Sequence, residues 1–179
     1  MKFTIQAAAP KDLPLAASLY GAVCDSLAGK PYNPGWTREG FPTVENAEKY
    51  QQEGLLLLAM DGSAVAGSVG LTPNPSAEAD ESQPPASDGP AQDGLWYIHV
   101  LAVHPDYQRQ GVGSLLLAAA GERARQAGMR ALRLYVWEHN APAIRAYEKA
   151  GFACLQKDAD IGLAEFGLER FWLMEKFLS

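Results

Sequence analysis

The chain has 179 residues, of which 47% are hydrophobic and 20% charged. This length suits one domain with a substantial core, and the composition argues against disorder throughout. The formal net charge of -6, from 15 basic and 21 acidic side chains, argues against a nucleic-acid binder that neutralises phosphates. No apolar run approaches the roughly 20 residues that a membrane span needs, so we expect no membrane partner.

The two cysteines, Cys24 and Cys154, lie far apart and lack the spacing of metal ligands. We interpret them as small apolar core residues of a protein in a reducing compartment. Prolines and polar residues interrupt the N-terminal apolar stretch, which is unlike the core of a signal peptide. The sequence therefore predicts a cytoplasmic protein without a metal site.

The first part of the chain predicts one strand, two helices and a hairpin. In chain order these are a strand at 2–8, a helix at 11–29, an ordered loop at 30–42, a helix at 43–54 and a hairpin at 55–71. Gly29 and Gly54 are typical helix terminators, and Thr43 is a candidate N-cap. The Asp61-Gly62 pair between two apolar runs is typical of a hairpin turn.

The segment Thr72 to Gly94 is rich in Pro, Ser, Ala and acidic residues and has no large apolar residue, so we expect a mobile loop. After it, strong apolar patterns return. They predict strands at 95–103, 131–137, 152–158 and 169–179 and helices at 111–128 and 140–151. Two late β-α-β crossings are too long for hairpins, so the order predicts a mixed α/β sheet with helices on its faces. We expect one domain over residues 1–179.

The six residues from Gln108 to Gly113 lead directly into a predicted helix. A helix N-terminus has free N–H groups and the positive end of the helix dipole, which together bind phosphate oxygens. Gly111 and Gly113 let a phosphate approach the main chain, and Arg109 adds a charged contact. A nucleotide P-loop needs a lysine here and a dinucleotide fingerprint needs a glycine in place of Leu116, so neither fits. The alternative is a glycine-rich turn without a ligand.

The sequence QRQGVG at 108–113 resembles the Gln/Arg-x-x-Gly-x-Gly/Ala signature of the GCN5-related N-acetyltransferase (GNAT) superfamily, in which this loop grips the pyrophosphate of acetyl-CoA. The segments LAVHPDYQ at 101–108 and NAPAIRAYEKAGF at 140–152 match the same family at its usual distances. The resemblance implies a mostly antiparallel sheet of about seven strands, splayed at the acetyl-CoA site. It also implies an acetyl-CoA-dependent enzyme that acetylates a primary amine by direct attack, with no metal and no covalent enzyme intermediate. The alternatives are a non-catalytic acetyl-CoA sensor, or an acceptor that is a protein lysine or N-terminus.

The resemblance also assigns a set of coenzyme-binding residues. It implies that the main chain of Leu101 and Val103 hydrogen-bonds the thioester and the pantetheine arm, and that Asn140 lies beside the pantetheine and pyrophosphate. From the residues alone, Asn140 is also an N-cap for the following helix, and both roles are compatible. The full set is Leu101, Ala102, Val103, Gln108, Arg109, Gln110, Gly111, Val112, Gly113, Ser114, Asn140, Ala143 and Tyr147.

Tyr147 matches the family tyrosine near the coenzyme sulfur, which implies that its phenol protonates the departing thiolate. The alternative is a core aromatic beside Ile144 and Phe152. The group that deprotonates the amine is less defined, because His99 stands where many members have a glutamate. The stretch YIHVLAVHP at 97–105 resembles the arylalkylamine N-acetyltransferase branch, in which histidines on this strand line a water path.

Strand alternation predicts that Tyr97, His99 and Leu101 share one face, so Tyr97 and His99 are both candidates for that path. The alternative for His99 is a core histidine satisfied by a neighbour. On the acceptor side, the resemblance places the loop after the first helix and the last hairpin around the substrate. Their aromatics suit an aryl or alkyl small-molecule amine, or alternatively a homodimer contact. They are Tyr32, Trp36, Phe41, Phe166, Phe171 and Trp172.

Overall fold

A computed structural model describes residues 2–73 and 94–179. Within these ranges the chain forms seven strands and four helices in the predicted order. They are β1 (Thr4–Ala7), α1 (Leu13–Leu27), α2 (Val44–Gln52), β2 (Leu56–Asp61), β3 (Ala64–Thr72), β4 (Leu95–Val103), α3 (Val112–Gln126), β5 (Ala131–Trp137), α4 (Ala141–Lys149), β6 (Ala153–Ala159) and β7 (Phe171–Phe177). The predicted loop at 72–94 lies outside the described residues from 74 to 93.

The seven described strands form one sheet in the order β1-β2-β3-β4-β5-β7-β6. Its neighbours are antiparallel except for β4 and β5, which are parallel. The mixed, mostly antiparallel sheet predicted from the sequence is therefore confirmed. The last strand, β7, lies between β5 and β6, so the crossing through α4 passes over a strand that comes later in the chain.

The helices cover both faces of the sheet, as expected. Residues of α1 and α2 pack into one apolar cluster with alternate positions of β2, β3 and β4. Residues of α3 and α4 pack into a second cluster on the opposite face, together with β5 and Met174 of β7. We call these the α1/α2 face and the α3/α4 face. The second helix begins with a capping box in which the Thr43 N–H donates to Oδ1 of Asn46 at 2.8 Å.

A β-bulge interrupts β4. Ser68 pairs with Ala102 and Gly70 pairs with His99, so two steps along β3 face three steps along β4. Val100 in the bulge has a φ of 45°, a left-handed value that β-branched residues rarely adopt. A bulge adds a residue to one strand and bends it, which shifts the faces of every residue that follows.

This bulge overturns one prediction. Leu101 does not share a face with His99, because the extra residue inverts the alternation beyond it. Val100 packs on the α1/α2 face and Leu101 on the α3/α4 face. Tyr97 and His99 precede the bulge and therefore share one face of the strand, as predicted.

Two further expectations need correction. Thr72 belongs to β3 and is buried, whereas the sequence placed it in a mobile loop. Cys24 is a buried free thiol, as predicted, but Cys154 is half-buried because β6 is an edge strand of the sheet. Across residues 2–73 and 94–179, no helix has both the length and the apolar character to cross a membrane.

Candidate active site

The N-terminus of α3 is the glycine-rich turn that the sequence singled out. Gly111 is the N-cap with a φ of 84°, and Arg109 before it has a φ of 60°. The first backbone hydrogen bond into the helix runs from Leu115 N–H to the Gly111 carbonyl at 3.0 Å. The N–H groups of Gly113 and Ser114 precede that bond and point out of the helix end, where they are available to an anion.

The side chains of this turn divide into two groups. Gln110 is used within the protein, because its amide donates to the Asp106 carbonyl at 2.8 Å and accepts from Lys2 Nζ at 2.9 Å. Gln108 and Arg109 are exposed at the surface of the turn. A coenzyme phosphate could therefore use the Arg109 guanidinium, whereas the Gln110 side chain fixes the shape of the loop.

β4 and β5 separate beside this turn. In the described sheet their pairing covers three rungs and ends at Tyr97 opposite Arg133. Beyond that rung β4 continues to Val103 with β3 on its other side. The bulge bends β4, which opens a gap between it and β5. We call this gap the splay, and it opens toward the N-terminus of α3.

The residues predicted to bind the pantetheine arm lie along the splay. Leu101 and Val103 are half-buried against the α3/α4 cluster, and Val103 packs close to Gly113 of α3. Ala102 between them is buried on the opposite face. At the start of α4, Oδ1 of Asn140 accepts a hydrogen bond from Ala143 N–H at 3.4 Å, so its capping role is observed.

Tyr147 lies on α4, half-buried against the α3/α4 cluster. Its ring meets Phe152 edge to face, with centroids 5.9 Å apart. The ring therefore has the core contact of the structural alternative. A phenol at the edge of a cluster can still present its hydroxyl to a ligand, so the contact is compatible with the acid role.

His99 is buried, with 4% of its surface exposed. Its Nε2 lies 3.1 Å from Oγ1 of Thr72, and its ring stacks on Tyr50 of α2 with centroids 5.8 Å apart. Gly70 lies opposite His99, and a Cβ there would come within 2.4 Å of the Tyr50 ring. A bare backbone at Gly70 is thus what lets Tyr50 cover His99. This environment is that of the buried, partnered histidine that the sequence left as an alternative.

Tyr97 begins a polar row that sequence reasoning missed. Its ring stacks on Tyr135 of β5, with centroids 6.3 Å apart and planes 9° from parallel. Arg133 pairs with Tyr97 on one side and with Glu175 on the other, and Arg133 Nε donates to Oε2 of Glu175 at 2.6 Å. The signal in the sequence was a charged residue at the centre of two apolar strands, ALRLYVW and FWLMEKF.

Burial and neighbouring charges both shift the pKa values of Arg133 and Tyr135 in this row. Burial alone lowers the pKa of the Arg133 guanidinium, but hydrogen bonds to Glu175 and to the Tyr97 hydroxyl outweigh it and raise the pKa overall. Burial raises the pKa of the Tyr135 hydroxyl, Tyr97 adds to that shift, and the charge of Arg133 opposes it. Both phenols therefore sit in a low-dielectric site beside a permanent cation.

The aromatics predicted for the acceptor side separate into several environments. Trp36 and Phe41 contact each other edge to face at 6.0 Å and pack against the α1/α2 cluster. Their loop is tied to α1 by Arg38, which donates from Nε and from Nη2 to the two carboxylate oxygens of Asp25 at 2.6 and 2.5 Å. Tyr32 is half-buried in the same loop.

The last hairpin supplies fewer wall residues than expected. Phe171 joins a small cluster with Tyr135 on the α1/α2 face, but Trp172 packs on the α3/α4 face. The two residues point to opposite faces, as neighbours on a strand do, so they cannot both contact one ligand from the same face, and a substrate role for each stays a prediction. Phe166 is 70% exposed. Among the described residues, no three His, Cys, Asp or Glu side chains are grouped closely enough to hold a metal ion.

The sequence also matches a known protein family, and this match agrees with the splay, the glycine-capped helix and the element order. Residues 22–152 match the Acetyltransferase (GNAT) family. The chain belongs to this family. The match is at the level of the family and does not distinguish the arylalkylamine branch.

Individual relatives narrow the place of the chain within the family only in part. The chain is 31% identical over 127 residues to a mycothiol acetyltransferase of Geodermatophilus obscurus, an alignment that covers 71% of this chain and 37% of the relative. The chain thus spans little more than a third of the length of this curated relative.

Two solved structures share the fold. The PaiA N-acetyltransferase of Thermoplasma acidophilum, in complex with coenzyme A, matches with a TM-score of 0.66 and 20% identity, covering 99% of both chains. The ribosomal-protein-S18-alanine N-acetyltransferase of Escherichia coli matches with a TM-score of 0.68 and 22% identity, covering 99% of this chain and 94% of that one. At these identities the likeness concerns the fold alone.

Proposed function

We propose that this protein transfers the acetyl group of acetyl-CoA to a primary amine of a small molecule. The observation that carries the proposal is the splay between β4 and β5, which opens toward a helix N-terminus capped by Gly111. Acetyl-CoA is a long thioester with a pyrophosphate, so it needs an extended slot and an anion site in one line. The family to which the chain belongs supports the same assignment.

The residues around the splay fit this coenzyme. The N–H groups at the start of α3 and the Arg109 guanidinium would hold the pyrophosphate. Main-chain groups of Leu101 and Val103, on the side of β4 that β5 has left, would bind the pantetheine arm as an added strand does. Bound acetyl-CoA supplies an activated acetyl thioester.

Side chains of this protein would carry out the two proton transfers of the reaction. The Tyr147 hydroxyl would donate its proton to the sulfur that leaves. The amine must lose a proton before it attacks. His99 would accept that proton through a water path and release it to solvent, while the 3.1 Å contact of its Nε2 with Oγ1 of Thr72 orients the ring. Tyr97, on the same face, would orient the amine by accepting a hydrogen bond from one of its N–H groups, which leaves the nitrogen lone pair free to attack.

The acceptor side supports a small molecule. The loop that carries Trp36 and Phe41 is pinned to α1 by the Arg38–Asp25 pair, and its aromatic rings pack on the α1/α2 face. Apolar walls of this kind suit an aryl or alkyl amine. The mycothiol acetyltransferase relatives agree with a low-molecular-weight acceptor, while the ribosomal-protein acetyltransferases share only the fold.

The test is release of free thiol from acetyl-CoA in the presence of a panel of acceptors. The panel holds 2-phenylethylamine, simple alkylamines, free amino acids and a peptide with a free N-terminus. We expect thiol release with the arylalkylamine or alkylamine members to exceed that with the peptide. Preference for the peptide would overturn the small-molecule acceptor, and binding of acetyl-CoA without turnover of any amine would favour a sensor.

A further inference from the structure

An ion pair of Arg133 and Glu175 crosses the sheet where the splay begins. The last rung that joins β4 to β5 pairs Tyr97 with Arg133, and the same rung continues to Glu175 on β7. The two charged side chains are largely buried, with 18% and 7% of their surfaces exposed. They therefore lie at the closed end of the splay, on the α1/α2 face.

Stability alone does not account for this pair. Burying two charges costs desolvation energy that their attraction often only balances, and apolar replacements of similar size are commonly neutral or stabilising. The contacts of the two charges therefore point to a role besides stability.

On the other side of Arg133, Tyr97 is its partner on the last rung between β4 and β5, and a hydrogen bond to the Tyr97 hydroxyl helps to raise the pKa of the guanidinium. A guanidinium has five donors and no acceptor, so the oxygen of Tyr97 accepts from Arg133. The proton of that phenol consequently points away from Arg133. Glu175 holds the guanidinium at 2.6 Å, and Tyr135 stacks on the phenol ring, so both the ring and the hydroxyl direction of Tyr97 are fixed.

We propose that Arg133 and Glu175 are positioning residues, which fix the Tyr97 oxygen as a hydrogen-bond acceptor for an N–H of the acceptor amine and so leave the nitrogen lone pair free to attack. This inference rests on the proposed acetyl transfer. Arg133 and Glu175 do not touch the reacting atoms and act through Tyr97. Their effect is therefore conditional on the hydroxyl of Tyr97 being present.

A double-mutant cycle tests that condition. One arm is Tyr97→Phe, the other is Arg133→Met with Glu175→Leu, which removes the pair without leaving a buried charge, and the third protein carries all three changes. The probe is the panel amine that the wild type acetylates fastest, beginning with 2-phenylethylamine. Each arm should lower kcat by about tenfold, and the triple variant should lose no more than either arm.

The control is a second Arg–Glu pair that joins the other ends of β5 and β7. Arg170 Nε donates to Oε1 of Glu138 at 3.0 Å, outside the row that contains Tyr97. Arg170→Met with Glu138→Leu should leave kcat unchanged. The affinity for acetyl-CoA, measured by calorimetry, should stay at the wild-type value in every variant.

The results distinguish the positioning role of Arg133 and Glu175 from the proposed acetyl transfer. Losses that multiply in the triple variant, or an unchanged kcat in either arm, would overturn the positioning role while the transferase activity stands. A wild type that acetylates no amine would overturn the proposed function itself, and the role of the pair with it. Losses in both arms that do not multiply in the triple variant, with no loss in the Arg170 and Glu138 variant, would establish the inference.

Discussion

Tyr147 is the residue on which the proposed chemistry depends most directly. Its ring contributes to the packing of α4 through Phe152, and its hydroxyl is the proposed proton donor. Replacement of Tyr147 by Phe keeps the first property and removes the second. Because general acid catalysis contributes on the order of 10² to 10⁴ in rate, we expect turnover to fall at least tenfold.

The measurement for Tyr147→Phe is steady-state kcat together with acetyl-CoA affinity, which should stay close to that of the wild type. Tyr107→Phe is a matched control, because this tyrosine packs edge to face on Phe3, 5.8 Å away, and has no place in the proposed chemistry. Unchanged turnover in Tyr147→Phe, with chemistry shown to limit the rate, would exclude the tyrosine from the mechanism.

His99 and Thr72 form a second unit at the residue scale. A relay residue must be unprotonated to accept the proton of the amine, so a relay through His99 predicts an ascending limb in the pH profile of kcat/KM. His99→Gln should lose that limb, and Thr72→Val, which keeps the shape and removes the hydroxyl, should weaken it. The pH profiles of the three proteins check this expectation.

The competing account of His99 gives a different result. If the histidine only supports the strand, its loss leaves buried partners unsatisfied and costs about 1 to 3 kcal/mol of stability. His99→Gln would then unfold at lower denaturant but keep the wild-type pH profile. That combination would show that the amine loses its proton by another route.

At the scale of elements, the proposed coenzyme site depends on the backbone conformation of a single glycine, Gly111, at the start of α3. Gly111 has a φ of 84°, and a Cβ there would meet nothing within 4 Å. Gly128 just after the same helix has a φ of 79° and equally open surroundings. The two positions therefore differ in location but not in backbone conformation or space.

Gly111→Ala and Gly128→Ala should each cost about 1 to 2 kcal/mol of stability, because alanine is strained at positive φ. Only Gly111→Ala should weaken acetyl-CoA binding, since only that turn is proposed to hold the pyrophosphate. Chemical denaturation and calorimetric titration of both variants measure the two effects. Equal loss of affinity in both variants would mean that the effect comes from general destabilisation of α3.

Most elements could be predicted because their signals are local. The bounds of β4 and β5 follow from apolar runs that are each interrupted by one polar residue, His99 and Arg133, and the start of α2 follows from the capping residue Thr43. The bulge at Val100 could not be predicted, because it places a β-branched residue at a positive φ that its own preference opposes. Only pairing with β3 over a long sequence separation decides it.

The same distinction holds for the candidate site. The glycine-rich turn was found from adjacent residues, and Tyr147 and Asn140 came from a family pattern. Arg133 and Glu175 were missed because they lie 42 residues apart and meet only when β7 inserts between β5 and β6. Thr72 was missed because its segment reads as a loop by composition, although its hydroxyl contacts a buried histidine.

At the scale of the molecule, the sheet separates the proposed coenzyme-binding residues from the proposed acceptor-binding residues, and the two groups meet at the splay. The α3/α4 face carries Leu101, Val103 and Tyr147 of the proposed coenzyme site, and the aromatic loop packs on the α1/α2 face, where Tyr97 stacks on Tyr135. A ligand that fills the splay therefore contacts both clusters through β4. Such a ligand should stabilise the folded protein as a whole and not only one loop.

The last prediction measures that stabilisation. A ligand at a hundredfold excess over its Kd adds about 2.7 kcal/mol by mass action, which for a domain of this size raises Tm by about 5 to 10 °C. Acetyl-CoA should produce this rise in a thermal-shift experiment. NAD⁺ at the same concentration is the control, because it carries a pyrophosphate but no thioester arm, and it should produce little shift. An equal rise with NAD⁺ would mean that the turn before α3 binds pyrophosphates without the splay. No rise at saturating acetyl-CoA would overturn the proposed function, because a coenzyme that binds only the folded splay must stabilise it.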